Sequence, residues 1–463
     1  MRQDLHRKLR EEIARAIRPG EHILAALSGG ADSVALLHLL VSARDAGLVR
    51  LSAAHFEHGI RGEDSVSDML FAKELCEKWR VPFYAGAGDV PAEAEKRGTG
   101  LEETARDMRR AFLMQARKES GADVIALAHH ADDQAETVLM RLMRGSGGRG
   151  AGGMRERDGM WLRPLLHCRK RDLIDYLAQS GLEWREDKTN AEEITERNSL
   201  RIRVTGEMER IRPGAIEAIG RFADIQRRES DFLEGLAEKW LEENAVNMPQ
   251  GTRIELSDLP DGVILARALK TAAGREATAQ DVERLCLLCE KGSGKLDLRG
   301  RFFRAEAGAG ALWLLEKREC VKPALAATEG ATKLADLGTL WAKAGAGAPV
   351  RDDLFRQELN ADACEGACLR LWREGDRIKP LGMGGKSRLI SDIYADKGVP
   401  KQKRPFMPVL EGKDGEILWA VGACISHGAR LTEGCRAVEF KWVEAPVRRW
   451  KNTKGDGGHD NEE

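Results

Sequence analysis

The stretch ILAALSGGADSVALLHLL, from Ile23 to Leu40, places a glycine-rich turn between an apolar run and a helical pattern. The run ILAAL is typical of a buried parallel strand, and SVALLHLL repeats its apolar residues with the period of a helix. Glycines let backbone N–H groups approach an anion, and the N-terminus of the helix adds partial positive charge. The segment therefore predicts a phosphate-binding loop between a strand and a helix.

The chemistry inside this loop differs from that of a Walker loop. A Walker loop carries a lysine that reaches the β- and γ-phosphates, but here no lysine stands at that position. The loop instead contains Asp32, which would repel a phosphate unless Mg²⁺ lay between them. We therefore expect Asp32 to hold Mg²⁺. The residues expected to bind the nucleotide are Ser28, Gly29, Gly30, Ala31, Asp32 and Ser33.

The organisation of the chain follows from its hydrophobic patterns. Residues 1–210 alternate apolar runs with helical periodicity, which predicts an α/β fold with a doubly wound, mainly parallel sheet. A mainly helical pattern over 211–321 ends in a hairpin and predicts a central domain. An alanine- and glycine-rich segment over 322–349 predicts a linker to a small α/β domain over 350–445. Residues 446–463 lack apolar periodicity, so we expect a disordered tail.

The composition limits the class of protein. The chain has 463 residues, is 42% hydrophobic and carries a formal net charge of −1. It has no apolar run of the roughly 18 residues that a membrane span needs, and Met1–Ile13 is too charged for a signal peptide. We therefore expect a cytoplasmic protein whose nine cysteines are reduced thiols. The pairs Cys286/Cys289 and Cys364/Cys368 have the spacing of a metal site, but the apolar helix around the first pair favours simple packing.

Two basic blocks stand out on this nearly neutral chain. Arg141–Arg171 contains nine Lys or Arg residues against two acids, and Arg370–Arg404 contains ten against four. Such blocks indicate a polyanionic partner, although either block alone is also compatible with an ordinary solvated surface.

A cluster of titratable residues follows the strand pattern DVIAL. It consists of His129, His130, Asp132, Asp133 and Glu136, at the start of a helical pattern. In a doubly wound sheet, side chains at the carboxyl ends of the strands meet at the ligand site. The cluster therefore predicts a catalytic site, with helix-capping acids and core histidines as the alternative interpretation.

Four stretches carry a resemblance to a known family. SGGADS after a strand is typical of the N-type ATP pyrophosphatases, which share a PP-loop and an adenine nucleotide alpha hydrolase-like fold. LEETARDMRRAF, HHADDQAETVLMRLMRGSGG and WREGDRIKPLGMGGKSRL narrow the resemblance to the tRNA(Ile)-lysidine synthetases. That resemblance implies a ligase that uses ATP and Mg²⁺ to attach free lysine to C2 of the wobble cytidine in the CAU-anticodon isoleucine tRNA. An adenylated cytidine is the implied intermediate.

The same resemblance assigns roles to individual residues. Asp133 and Glu136 would recognise the lysine ammonium, and a carboxylate or one of His129 and His130 would accept its proton. Arg106 and Arg109 lie one helical turn apart, so both can contact the α-phosphate, with a pair of surface arginines as the alternative interpretation. The residues expected to contact substrate or tRNA are Asp132, Arg141, Arg144, Arg197, Arg201, Arg373, Arg377, Lys379, Lys386 and Arg388. We also expect the Gly145–Gly153 loop beside Arg144 to be flexible.

The sequence departs from the family pattern at three positions and leaves alternatives open. Glu57 replaces an asparagine, Arg110 a tyrosine and Gly206 a proline. The PP-loop alone is also compatible with an amidotransferase-type synthetase or a tRNA 2-thiolating enzyme. The basic blocks alone are compatible with a tRNA-binding protein that has no catalytic activity. The oligomeric state stays open, a homodimer included.

Overall fold

The computed structural model describes residues 2–59, 63–185, 196–249, 251–316, 321–350 and 353–450. The chain divides into two compact units, Met1–Phe232 and Leu233–Thr453. The boundary between them falls inside one long helix, Ala215–Asn244. Among the described residues, no helix combines the length and the apolar character that crossing a membrane requires.

Fifteen α-helices are described. They are α1 (Arg2–Ala16), α2 (Ala31–Asp45), α3 (Glu63–Lys78), α4 (Val90–Arg97), α5 (Leu101–Ser120), α6 (Ala131–Met143), α7 (Gly148–Ala151), α8 (Lys170–Gln179), α9 (Glu196–Ser199), α10 (Gly206–Ile211), α11 (Ala215–Asn244), α12 (Gly262–Ala273), α13 (Ala279–Lys291), α14 (Ala361–Cys364) and α15 (Ile390–Asp396). A π-helical segment, Leu200–Thr205, joins α9 to α10.

Twenty-three strands are described, six of them in the first unit. They are β1 (His22–Ala26), β2 (Arg50–Glu57), β3 (Phe83–Ala87), β4 (Val124–Ala126), β5 (Arg157–Asp158), β6 (Trp161–Leu162), β7 (Ala245–Met248), β8 (Gly251–Glu255), β9 (Gly294–Asp297), β10 (Phe302–Gly308), β11 (Ala311–Glu316), β12 (Ala324–Leu325), β13 (Gly330–Leu334), β14 (Gly338–Ala344), β15 (Arg356–Asn360), β16 (Cys368–Leu371), β17 (Arg377–Ile378), β18 (Arg388–Leu389), β19 (Pro408–Glu411), β20 (Ile417–Ala420), β21 (Cys424–Ile425), β22 (Ala437–Glu444) and β23 (Arg448–Arg449).

The sheet of the first unit has the order β3-β2-β1-β4-β6-β5. All its pairings are parallel except β5 with β6. The order reverses between β1 and β4, which is the switch point where such sheets bind ligands at their carboxyl edge. The predicted doubly wound, mainly parallel fold is confirmed.

Both faces of this sheet are covered by helices, as parallel sheets require. One face buries a large core that includes side chains of α1, α2 and α8. On the other face, α5 packs on the strands through Leu113 and Ala116. That contact is close, because a Cβ built on Gly86 would lie 2.4 Å from the ring of Phe112. A glycine on β3 therefore lets α5 lie directly on the sheet.

The second unit contains four further sheets. The largest has the order β23-β7-β8-β11-β10-β9, and its core includes side chains of α12 and α13. The predicted hairpin is confirmed as β10 and β11, with β9 on its outer edge. Residues 211–321 therefore contain the predicted helices, α11, α12 and α13, together with strands of this sheet. The remaining sheets have five, four and two strands, so the C-terminal region is β-rich with the short helices α14 and α15.

Two expected irregular segments are instead partly folded. The predicted linker over 322–349 contains β12, β13 and β14, and Leu334 and Leu340 enter a buried core. Alternation of buried and exposed side chains along β13 and β14 outweighs the alanine and glycine content. The predicted tail over 446–463 begins with β23, which pairs with β7, and with the buried Trp450. The rest of that tail, 451–463, lies outside the described residues.

Candidate active site

The PP-loop connects the carboxyl end of β1 to the first turn of α2. Gly29 has a φ of +91°, a conformation that a side chain would strain. The hydroxyl of Ser33 donates to the carbonyl oxygen of Gly30 at 2.9 Å and accepts the backbone N–H of Ser28 at 3.2 Å. The Ser28 hydroxyl accepts the backbone N–H of Gly30 at 3.4 Å. The two serines therefore fix the shape of the turn that the sequence predicted.

Asp32 lies in the first turn of α2, between two cationic groups. Its Oδ2 atom is 3.6 Å from His130 Nε2 and 3.7 Å from Lys170 Nζ. Its Oδ1 atom is buried and has no hydrogen-bond partner among the described residues. No group of three or more His, Cys, Asp or Glu side chains forms a metal site in the described part of the chain. Mg²⁺ commonly takes one or two carboxylates and completes its shell with substrate phosphates and water, so the unpartnered Oδ1 fits that ion.

His130 is the N-cap of α6 and lies among three carboxylates. Its Nδ1 atom accepts the backbone N–H of Asp133 at 3.3 Å, which leaves the ring proton on Nε2. Nε2 is 3.3 Å from Asp133 Oδ2 and 3.6 Å from Asp32 Oδ2. Burial opposes the charged imidazolium, but the charges of Asp133, Asp32 and Asp132 outweigh it, so the pKa of His130 is raised.

Asp133 and Glu136 face a pair of arginines from α9 and the π-helical segment. Arg197 Nε donates to Glu136 Oε2 at 2.8 Å, and Arg201 Nε donates to Glu136 Oε1 at 2.6 Å. Both guanidinium groups also lie 3.3 Å from Asp133 Oδ1. Burial would raise the pKa of Asp133, but the charges of His130 and Arg197 outweigh it and lower the pKa to about 2. The four residues thus form an ion-pair network in which Glu136 is completely buried.

Asp132 supports the site instead of facing an open surface. Its carboxylate accepts the backbone N–H of Lys170 at 2.8 Å and a guanidinium N–H of Arg169 at 3.0 Å. Burial works against the ionised form, but the hydrogen bonds from Arg169 and Lys170 prevail, so the pKa of Asp132 is lowered. These contacts tie the start of α8 to the start of α6. The predicted substrate contact of Asp132 stays a prediction.

Lys170 and Arg185 are two functional candidates that the sequence reasoning missed. The tie through Asp132 brings the Lys170 ammonium to the PP-loop aspartate. The backbone N–H of Arg185 donates to the carbonyl oxygen of Gly29 at 2.9 Å. The sequence offered one indication of a role for Lys170, because this residue lies within the first basic block and begins a helix. Arg185 had none, because its contact with the loop is made by the backbone.

Two further histidines, His55 and His129, have different environments. His55 on β2 is buried, and its Nδ1 lies 2.8 Å from the carbonyl oxygen of Leu27, directly before the loop. His129 is half-buried, and its charge helps to lower the pKa of Asp133.

The arginines of α5 divide between two environments. Arg106 is half-buried and Arg109 is exposed. The guanidinium of Arg110 lies 4.8 Å from the centroid of the Trp161 ring, a cation–π contact. The joint contact of Arg106 and Arg109 with an α-phosphate stays a prediction. Arg110, which replaces the family's tyrosine, stacks on an aromatic ring of β6.

The Gly145–Gly153 loop contains the short helix α7 and packs against α6, and its flexibility stays a prediction. Arg141 donates to the carbonyl oxygen of Gly153 at 2.9 Å. A Cβ on Gly153 would lie 2.7 Å from the side chain of Gln134. Arg144 is exposed and pairs with Glu196 at 2.8 Å. The roles of Arg141 and Arg144 in tRNA binding stay predictions.

The C-terminal basic element, residues 373–388, is held in place by a buried arginine that lies just before it in the sequence. Arg370 is 4% exposed and binds Asp376 and Glu411 at 2.8 Å each. The Asp376 carboxylate also accepts the backbone N–H of Arg373 at 2.8 Å. This network fixes the start of the element.

The predicted tRNA contacts of the element are exposed or make surface contacts. Arg377 donates to the Ser387 hydroxyl at 2.8 Å. Lys379 pairs with Glu416, and Arg388 pairs with Asp396. Arg373 and Lys386 are exposed. Their role in tRNA binding stays a prediction.

Comparisons with known proteins agree with this architecture. The family model of the PP-loop domain matches residues 1–208, and that of the TilS substrate C-terminal domain matches residues 368–442. A tRNA(Ile)-lysidine synthase from Geobacter sulfurreducens is 33% identical over 91% of this chain and 93% of its own length. The enzyme of that name from Geobacillus kaustophilus is 31% identical over 87% and 91%.

Among solved structures, a U34-tRNA thiolase from Methanococcus maripaludis is 17% identical, with a TM-score of 0.42 over 49% of this chain and 80% of that one. The sequence relatives extend over nearly the whole chain. The chain belongs to the tRNA(Ile)-lysidine synthase family.

Proposed function

We propose that the chain attaches lysine to C2 of the wobble cytidine in the CAU-anticodon isoleucine tRNA, with ATP converted to AMP and pyrophosphate. The names of its relatives support this reaction. The observation that carries the proposal is the position of Asp32, which lies within 3.7 Å of both His130 and Lys170 at the switch point of the sheet. The carboxyl edge of the sheet thus combines a phosphate-binding loop with charged groups suited to the transfer of AMP from ATP to the C2 oxygen of cytidine.

In the first step, the C2 oxygen of cytidine attacks the α-phosphate of ATP and pyrophosphate leaves. The Ser28–Ser33 loop holds the pyrophosphate through backbone N–H groups and the N-terminus of α2. Lys170 supplies the cation that the loop itself lacks, because its ammonium is 3.7 Å from Asp32. Asp32 would hold Mg²⁺ through its unpartnered oxygen, and that ion would neutralise phosphate charge.

In the second step, the amine of lysine forms a bond to C2, and the C2–O bond breaks to release AMP. A lysine amine has a pKa near 10.4, so the site must remove a proton. Asp133 is a poor acceptor because its pKa is about 2. His130 is a poor acceptor as well, because its Nε2 atom carries the ring proton and its Nδ1 atom accepts the backbone N–H of Asp133. The proton acceptor is therefore one of the other groups that the sequence named, His129 or Glu136.

Recognition of lysine requires a change in the ion-pair network. Asp133 and Glu136 are the carboxylates expected to bind the lysine ammonium, and both are bound by Arg197 and Arg201 in this structure. The ammonium takes the place of one guanidinium, which exchanges one cation for another at constant charge. The displaced arginine can then contact a phosphate of the adenylated cytidine.

The tRNA is the partner, and the C-terminal basic element contributes to its binding. Arg373, Arg377 and Lys386 present cationic groups on glycine-rich backbone that can approach phosphates closely. We place the reaction in the cytoplasm, where tRNA, ATP and free lysine occur together.

A 2-thiolating PP-loop enzyme is not favoured as an alternative. Such chemistry needs reactive thiolates, and the two cysteines of residues 1–210 are Cys76 and Cys168. Both are buried, and burial raises the pKa of each thiol to about 12.

The test is incorporation of labelled lysine into bacterial tRNA, with pyrophosphate and AMP measured in the same reactions. We expect incorporation that depends on ATP and on tRNA and resists mild base, unlike an aminoacyl ester. The three products should form in equal amounts. Release of pyrophosphate without incorporation of lysine would retain the loop chemistry and reject lysine as the nucleophile.

A further inference from the structure

The first unit contains a second cationic site, a cavity bounded by α5, α6, α7, α11 and the segment around β5 and β6. Its volume is about 80 Å³, several times what one water molecule needs. Six arginines line this arginine cavity, whereas Asp158 is the one acidic residue among the described residues that line it. The six are Arg110, Arg141, Arg149, Arg155, Arg163 and Arg227.

Several of these arginines are fixed by the backbone around the cavity. Arg163 donates to the carbonyl oxygen of Arg155 at 3.0 Å, and Arg227 donates to that of Gly152 at 2.9 Å. Arg141 binds the carbonyl oxygen of Gly153, and Arg110 stacks on Trp161. Arg155 and Arg227 also pair with Asp231 and Asp224. The cavity is therefore a preorganised set of guanidinium groups, which suits a phosphate or another oxyanion.

The arginine cavity lies at the same edge of the sheet as the catalytic cluster. Arg163 directly follows β6, and β6 pairs in parallel with β4, whose end leads to His130. Neighbouring strands are about 4.8 Å apart. The Gln134 side chain on α6 also exchanges two hydrogen bonds with the backbone of Met154, at 2.7 and 3.0 Å. The helix that carries Asp133 and Glu136 therefore also forms one wall of the cavity.

We propose that the arginine cavity binds a backbone phosphodiester of the substrate RNA, next to the nucleotide that is modified. This inference rests on the proposed function. The PP-loop already provides a site for the phosphates of ATP, and an RNA chain brings its own phosphates on both sides of the reacting base. If the reacting base lies at the end of β4, a phosphate next to that base lies within reach of Arg163, which follows the neighbouring strand β6. Such a contact positions the base without reading its sequence.

The test is binding of an anticodon stem-loop RNA to the full chain, without ATP or lysine, over a range of salt concentrations. Arg149→Gln is the main variant, because Arg149 is exposed and its loss does not empty a buried position. We expect RNA affinity to fall roughly tenfold and the salt dependence to decrease by about one counterion. Arg228→Gln is the matched control, since Arg228 is exposed on α11 and does not line the cavity.

A second arm identifies the phosphate. Stem-loops that carry a single uncharged methylphosphonate, on either side of the wobble position, are compared on wild type and Arg149→Gln. If the cavity binds one of these phosphates, that substitution weakens wild-type binding and has little further effect on the variant. ATP affinity, measured separately, should be unchanged in Arg149→Gln.

Three outcomes would overturn the inference in distinguishable ways. Wild-type RNA affinity in Arg149→Gln, with additive effects of every methylphosphonate, would reject the cavity as an RNA site and leave the proposed reaction intact. Loss of ATP affinity instead of RNA affinity would assign the cavity to a nucleotide phosphate. Failure of the wild-type chain to bind the stem-loop would reject the inference, and failure to bind full-length tRNA as well would reject the proposed function with it.

Discussion

The chain uses charged residues in two contrasting ways, in the catalytic cluster and in the C-terminal basic element. Arg201 binds Glu136, which is fully buried, in a network of four charged side chains. Arg388 binds Asp396 in a pair whose side chains are 37% and 59% exposed. Buried charges hold one geometry because a buried charge that loses its partner is left without compensation, which costs several kcal/mol. Exposed charges are solvated by water, so their ion pairs form and break at little cost in free energy. The first arrangement suits chemistry and the second suits reversible binding of a polyanion.

The largest expected effect is at Asp32. Asp32→Asn keeps the shape of the side chain and removes the charge between His130 and Lys170. We expect the rate of pyrophosphate release to fall about 10³-fold, as when a preorganised electrostatic group is removed. Binding of tRNA should stay at the wild-type level, because that binding depends on other residues. Near-normal pyrophosphate release by the variant would contradict the claim that the cluster around Asp32 catalyses the reaction.

The next effect separates the two regions by stability. Arg201→Ala leaves the buried Glu136 carboxylate with one of its two cationic partners, and we expect unfolding of the first unit to become easier by about 3 kcal/mol. Arg388→Ala, the matched surface change, should lower the free energy of unfolding by less than about 1 kcal/mol. Urea unfolding, followed by probes in each unit, measures both. Equal costs would show that the comparison between buried and exposed pairs does not hold.

Lys170 tests whether a residue outside the loop replaces the missing Walker lysine. Lys170→Met should slow pyrophosphate release about tenfold to a hundredfold, because one cation near the phosphates is lost. Lys170→Arg should recover part of that rate, since it restores the charge. A Met variant that is as active as the Arg variant would show that charge at this position does not matter.

Substitutions in the C-terminal basic element should change the affinity for tRNA and leave the catalytic rate unchanged. Arg377→Gln should weaken tRNA binding a fewfold and reduce the salt dependence by about one counterion, with the catalytic rate at saturating tRNA unchanged. Filter binding at several salt concentrations provides the measurement. A lower rate at saturating tRNA, with unchanged affinity, would place Arg377 in the chemistry after all.

The smallest effect is a shift in a titration. The pKa of His130 is raised, so its titration followed by NMR should have a midpoint above 6.5. The stability that the charged ring contributes is present below pH 6.5 and is lost as pH rises through that midpoint. Asp32→Asn should lower the midpoint, because it removes one of three neighbouring negative charges. A midpoint at or below 6.5 in wild type would contradict the clustered geometry.

The sequence predicted the fold of the first unit because strong local patterns coincided. The strand, loop and helix around Gly29 and the cluster around His130 follow from periodicity and spacing, and both lie where parallel strands must end together. The predictions for the linker and for the first residues of the tail, 446–450, were wrong for the opposite reason. Composition indicated irregular structure there, whereas β13, β14 and β23 are stabilised by pairing with strands that are distant in sequence.

The contacts that complete the site could not be predicted from local sequence. Lys170 reaches Asp32 across 138 positions of the chain, and Arg201 reaches Glu136 across 65. Such pairings depend on how helices pack and not on local spacing. For the same reason the sequence assigned Asp133 and Glu136 to lysine without showing that arginines bind them first.

The most direct test of the account is mass spectrometry of nucleosides from tRNA that has been incubated with the chain, ATP and lysine. We predict a modified cytidine that is heavier by one lysine less one water, formed by wild type and by Arg377→Gln at saturating tRNA. Asp32→Asn should form it about 10³-fold more slowly, although it binds tRNA. A cytidine of unchanged mass with the wild-type chain, or the modified cytidine formed by Asp32→Asn at the wild-type rate, would contradict the claim that this cluster makes lysidine.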